Sequence, residues 1–192
     1  MIVDYLENWS IEDKAEEVLQ KAKSLEFYDN NKATPLDQIA EIILDCNIIY
    51  EDLDQYQYGL LGIADYKQKI IWINQSLDCY EDYNLSDEGR LNFTLAHEIG
   101  HFVLHKKLYE NDNFYDFHDE TDQLGKRIEI QANIFAEMLM MPRKLIYQKW
   151  QKDFSDIESD HQKISEMMKS FKTSREAMQI RLKKLDLIQF YC

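Results

Sequence analysis

Apolar residues recur at helical spacing near the start of the chain. Ile11, Ala15, Val18, Leu19 and Ala22 form one stripe, which predicts a helix from Ser10 to Leu25. Ser10 is placed to cap it, with Asp13 three residues on as the other half of a capping-box-like pair. After the polar break Asp29–Lys32, Thr34 suits an N-cap and Pro35 a first helical position. Leu36, Ile39, Ala40, Ile43 and Leu44 then face one way. The pattern next shifts to short β-branched and aromatic runs. Ile48–Tyr50, Gly59–Tyr66 and Lys69–Asn74 read as strands, the last two as a hairpin turning at Lys67-Gln68. Gly62 inside a strand marks a place where something approaches the backbone closely.

From Leu91 to His105 apolar residues lie all round the helix, so this helix is predicted to be buried; Ser86 or Asp87 is placed to cap it. A polar, aromatic loop follows from Tyr109 to Gln123, long enough for a functional role in a compact domain. Ile128, Ala132, Phe135, Ala136 and Leu139 restore helical spacing over Lys126–Met141. Pro142 separates that helix from Arg143–Lys152, and two amphipathic helices, Asp160–Phe171 and Ser174–Leu185, close the chain. The whole reads as an α+β fold, helix-rich, with a small antiparallel β-sheet. One domain is expected over 1–192, with an N-terminal helix in 1–33, a central core in 34–145 and a C-terminal helical segment in 146–192.

Composition narrows the function classes. The net charge of −14 repels a phosphate backbone, so direct nucleic-acid binding is not expected; the same field favours a basic partner. The closing helix, with Arg175, Arg181, Lys183 and Lys184, is the one basic exception and carries the competing reading of a DNA-binding module. Cys46, Cys79 and Cys192 are too few and too scattered for a disulfide framework, which fits a reducing compartment; Cys46 falls on an apolar pattern and is assigned to the core. The acidic N-terminus lacks the build of a signal peptide and no apolar run is long enough to span a bilayer, so a cytoplasmic, non-membrane protein is expected.

The buried helix carries His97-Glu98-Ile99-Gly100-His101, an H-E-x-x-H. One helical turn brings His97 and His101 onto a common face, where two imidazoles can reach one ion, with Glu98 beside them to polarise a bound water. Ionisable groups on a buried helix need partners, and a divalent cation supplies one to all three. A third ligand must come from elsewhere. Glu129 is the best candidate, since Glu129, Ala132, Asn133 and Ala136 share a helix face small enough for close approach; Glu137 is the rival. Asn133 can hydrogen-bond the free nitrogen of a ligating histidine. His105, eight residues past His97, is turned by ~80° and ~12 Å further along the axis. It is therefore read as a capping or structural histidine rather than a ligand.

FTLAHEIGHFVLH (residues 93–105) followed by EIQANIFAEMLMMP (129–142) resembles the ImmA/IrrE family of metallopeptidases. The lead-in with GLLGI and IIWIN and the closing SREAMQIRLKKL are similar too, so the likeness runs over roughly residues 34–188. Many members read E-x-E-A-N where this chain has E-I-Q-A-N, with Gln131 at the second acidic position; the spacing to Asn133 favours Glu129 as the ligand. The resemblance implies a zincin-like, gluzincin-type domain in its stand-alone form, without a helix-turn-helix or sensor domain. It implies Zn²⁺ held by His97, His101 and Glu129, with Glu98 as general base and Asn133 behind the ligands. Tyr115 and His118, in the loop after the active helix, are candidates for stabilising the oxyanion. The implied partner is a protein substrate, a DNA-binding transcriptional repressor of a mobile element, prophage or stress response, relieved by cleavage. The alternative is a metal-containing regulator that sequesters the repressor without cutting it. Either edge strand of the hairpin, GLLGIADY or KIIWIN, is a candidate for holding an extended peptide by strand addition.

Overall fold

The computed structural model describes residues 6–78, 85–109 and 123–189. Cys79, Cys192, Tyr115 and His118 lie outside them. The first helix, α1 (Asn8–Ser24), buries the predicted stripe, but Glu7 occupies its N-cap position and Ser10 lies inside the helix. The capping role expected of Ser10 and Asp13 therefore does not arise: the helix starts two residues earlier, and Ser10 donates its amide to the Glu7 carbonyl at 2.9 Å. The second helix, α2 (Leu36–Gln38), widens into a π-helical turn over Ile39–Ile43. Thr34 does not cap it. Its hydroxyl donates to the carbonyl of Leu139 at 2.9 Å, one of the last carbonyls of α5 (Gln123–Met140), where no intrahelical partner exists.

Three strands follow: β1 (Asn47–Glu51), β2 (Gly62–Asp65) and β3 (Ile70–Asn74), in the order β1-β3-β2. The β2–β3 hairpin is antiparallel as expected, with Gly62 opposite Ile73 and Asp65 opposite Ile70. The sheet as a whole is mixed, not antiparallel, because β1 pairs with β3 in parallel, Asn47 opposite Ile70. The chain reverses twice between β1 and β3 and lays β2 on the far side, so β3 returns in the direction of β1. β2 is shorter than the Gly59–Tyr66 run predicts. Gly59 sits at φ +80° and donates its amide to Asp54 at 2.8 Å, so residues before Gly62 belong to a turn. The period-2 pattern turns Ala64, Ile71 and Ile73 inward.

Around the sheet stand α3 (Leu85–Leu104), α4 (Lys106–Tyr109), α5, α6 (Arg143–Gln148, continued by a π-helical turn Lys149–Asp153), α7 (Asp160–Phe171) and α8 (Arg175–Lys184). α3 is described from Leu85, so Ser86 and Asp87 lie within helix rather than ahead of it. Leu95, Ala96 and Ile99 of α3 meet Phe135, Ala136 and Leu139 of α5 in one apolar cluster that also takes in Cys46, the α1 stripe, Met167, Phe171 and Leu182. Burial pushes the Cys46 thiol up to about 11, in keeping with a packing role. No described helix is long and apolar enough to cross a membrane.

α8 starts on Ser174, whose hydroxyl accepts the Ala177 amide at 3.2 Å, with Glu176 in its first turn and Arg181, Lys183 and Lys184 in its last. Replacing Ser174 with Ala leaves that amide without its cap, and urea unfolding is expected to show a loss of about 1 kcal/mol. A change within error would mean that the cap contributes nothing to how α8 is held.

Candidate metal centre

Two helices build the centre, and small residues set their spacing. On α3, a Cβ placed on Gly100 would stand 3.1 Å from Phe135 Cδ1 and 3.3 Å from Ala132 Cα, so α5 lies as close to α3 as a glycine–alanine contact permits. At that separation His97 and His101, one turn apart on α3, reach Glu129 on α5. Glu129 Oε2 is 3.1 Å from His97 Nε2 and Oε1 is 3.4 Å from His101 Nε2; the two Nε2 atoms are 2.9 Å apart. Among the described residues these three form the group whose ligand atoms converge tightly enough to hold one metal ion.

Glu98, on the same helix, points under β2. A Cβ on Gly62 would fall 2.6 Å from Glu98 Oε1, so the close approach expected at this glycine is to the Glu98 carboxylate. Glu98 is 4 % exposed, and its Oε2 has no hydrogen-bond partner among the described residues. A buried carboxylate oxygen without a donor is costly. Burial accordingly pushes the Glu98 carboxyl up to about 7; the charge of His97 pulls the other way and that of Glu129 adds to the rise. A shallow pocket of about 310 Å³ opens here, lined by Leu60, Leu61, Phe93, Thr94, His97, Glu98, Glu129 and Asn133.

The electrostatics distinguish the two histidines. Burial drives the His101 imidazole down to about 4. Burial also works against charge on His97, but the hydrogen bond to Glu129 and the charges of Glu98 and Glu129 outweigh it and raise its pKa. For Glu129 burial acts upward, yet its contacts with the His101 and His97 rings hold it well below the usual carboxylate range. Two imidazoles and an ionised carboxylate converging beside an orphaned carboxylate oxygen fit a divalent cation. The donor set is that of sites with three protein ligands and an open position.

Asn133 stands where the helical pattern predicts, its Oδ1 accepting from His97 Nδ1 at 3.0 Å. Glu137 is not brought to the centre. It faces away and pairs with Arg181, at 3.2 Å, and with Lys184. That pairing also removes two cations from the DNA-binding reading of the last helix, since Arg181 is buried and gives its Nε to the Met141 carbonyl. His105 stays outside the convergence. It is buried, with Nδ1 3.2 Å from His101 Nδ1 and Nε2 3.0 Å from Gln131 Oε1. The pairing of Gln131 with His105 was not anticipated from the sequence. The signal for it was a polar side chain on the inward face of a buried helix, two residues from Asn133.

This is a helix-rich α+β domain with a His₂Glu centre between its two longest helices. The IrrE N-terminal-like domain matches residues 43–183, and the chain belongs to that peptidase family. It is similar to the radiation response metalloprotease IrrE of Deinococcus deserti, 46 % identical over 59 residues, which are 30 % of this chain and 20 % of that protein. The same-named protein of Deinococcus radiodurans is 38 % identical over 87 residues, 44 % of this chain and 23 % of that one. The chain thus matches less than a quarter of the length of these curated relatives.

Proposed function

We propose that this chain is a zinc-dependent endopeptidase of gluzincin type whose substrate is a regulatory protein. The proposed substrate is a DNA-binding repressor of a mobile element, prophage or stress response, met in the cytoplasm. The observation that carries the reading is the convergence of His97, His101 and Glu129 beside a buried Glu98 whose Oε2 lacks a donor. The repressor rests on the family resemblance and on the radiation-response name of the two relatives.

In this reading His97, His101 and Glu129 hold the ion and Asn133 fixes the His97 ring. When bound, the ion supplies Lewis acidity at the scissile carbonyl and acidifies a water. Glu98 takes the proton of the attacking water on its orphaned oxygen and returns it to the leaving amine; a carboxyl raised toward neutrality is suited to both transfers. β2 is an edge strand and Gly62 brings it onto Glu98, so an extended substrate would lie along β2. KIIWIN is not free to hold a peptide in this way, because β3 is paired on both sides.

Metal analysis of wild type and Glu129→Ala tests the reading. About one zinc per chain is expected in wild type, with the variant binding far more weakly. Wild type that takes up no metal from a zinc-supplemented buffer would end it, and metal retained by the variant would remove Glu129 from the ligand set.

A further inference from the structure

His101 and His105 are 2 % and 1 % exposed, so the hydrogen-bonding needs of both rings must be met inside the protein. A neutral imidazole has one N–H donor and one bare acceptor nitrogen. The His101 Nδ1 to His105 Nδ1 contact, at 3.2 Å, is a hydrogen bond only if one of the two carries hydrogen and the other does not. The rings themselves do not decide which. Gln131 does: its Oε1, 3.0 Å from His105 Nε2, can only accept.

We propose that Gln131, acting through His105, fixes His101 in the tautomer that leaves its Nε2 bare toward Glu129 and His97. His105 Nε2–H donates to Gln131 Oε1, His105 Nδ1 is then bare, and His101 Nδ1–H donates to it. The lone pair of His101 Nε2 points into the centre. By a separate and shorter route His97 donates Nδ1–H to Asn133 Oδ1, while its Nε2, hydrogen-bonded to Glu129 at 3.1 Å, stands 2.9 Å from the bare His101 Nε2. Two side chains two positions apart on α5 thus orient both histidines of α3, one directly and one through an intervening ring. Both rings are buried, and a charge on either would be held away from water, which favours the neutral relay. Gln131 and His105 are positioning residues: neither reaches the pocket that holds Glu98.

The relay rests on the proposed cation site for its purpose but not for its existence, and two readouts separate them. Nitrogen-15 NMR of the histidine rings, in the metal-free protein and after zinc addition, reads the tautomers directly. His101 is expected as Nδ1–H and His105 as Nε2–H in both states. In Gln131→Met, of similar length but with no acceptor, His105 is expected to lose its single tautomer and His101 with it. Zinc affinity by chelator competition should then fall by about 10–100-fold. Gln131→Glu keeps an acceptor and is expected to restore both the tautomers and the affinity. His101 found as Nε2–H in wild type overturns the relay without any variant. So does Gln131→Met with unchanged tautomers and unchanged affinity. Wild type that binds no zinc but shows the expected tautomers would sink the cation site and leave the relay standing.

Discussion

Glu98→Gln is expected to lose peptide hydrolysis by roughly 10²–10⁴-fold while keeping its zinc, because the amide can neither take the proton of water nor return it. The ring nitrogens and Glu129 that define the centre are untouched by the change. Cleavage of a degenerate peptide library, read by mass spectrometry beside elemental analysis, measures both quantities. Hydrolysis that survives the substitution would take the base role from Glu98. A variant that is inactive on peptides yet still relieves repression in cells would favour the sequestering regulator over the peptidase.

The same variant carries a stability signature in the metal-free protein. The Glu98 carboxyl is pushed up to about 7 in the folded chain, against the ordinary 4.5. The folded state therefore holds its proton more tightly than the unfolded state does. There is no penalty while both states are protonated, below about pH 4.5. The penalty grows as pH rises and is complete above about 7, where it is on the order of 3 kcal/mol. Wild type and Glu98→Gln stripped of metal should therefore unfold at similar temperatures near pH 4, with the variant several degrees higher at pH 8. Equal midpoints at pH 8 would mean that the buried charge is compensated by a donor.

Much of this centre could be read from residue order because its chemistry is local. His97 and His101 are one turn apart on one helix, and the 3.6-residue period decides their convergence whatever surrounds them. Glu129 and Asn133 were accessible for a similar reason: they share a face of a helix whose apolar pattern says which side is inward. The sheet was only half legible. Alternation identifies strands and a short turn joins β2 to β3, but no local feature of Ile48–Tyr50 says which neighbour it will choose. Its parallel pairing with β3 depends on the path of the chain between them. Caps failed where tertiary contacts compete for the same side chain. Thr34 has the right chemistry to cap α2, yet a carbonyl at the end of α5 takes its hydroxyl. Gln131 is opaque for another reason. In the sequence it is only a departure from an acidic motif, and three-dimensional contact alone reveals that its partner is His105.

Gly100→Leu is expected to damage fold and centre together, since the same glycine sets the distance between the helices that carry His97, His101 and Glu129. Glycine inside a helix costs about 1 kcal/mol relative to alanine, so its presence here needs a reason. The reason is contact: even a methyl would sit 3.1 Å from Phe135 and 3.3 Å from Ala132, and both are fully buried. For Gly100→Ala the gain in helix propensity and the tight contact nearly cancel, and the expected change in unfolding free energy is small. Leucine adds three further carbons with no cavity to enter, and overpacking of that kind costs about 1–3 kcal/mol or more. The strain can be relieved only by moving α5 away from α3, which draws Glu129 off His97 and His101. Zinc affinity should therefore fall in Gly100→Leu beyond what the loss of folded protein explains, and stay near wild type in Gly100→Ala. Urea unfolding of the metal-free proteins, with zinc titration of the folded fraction, separates the two effects. A leucine variant that is destabilised but binds zinc as tightly as wild type would show that Glu129 can follow the histidines across a wider gap, and that helix spacing does not tune the centre.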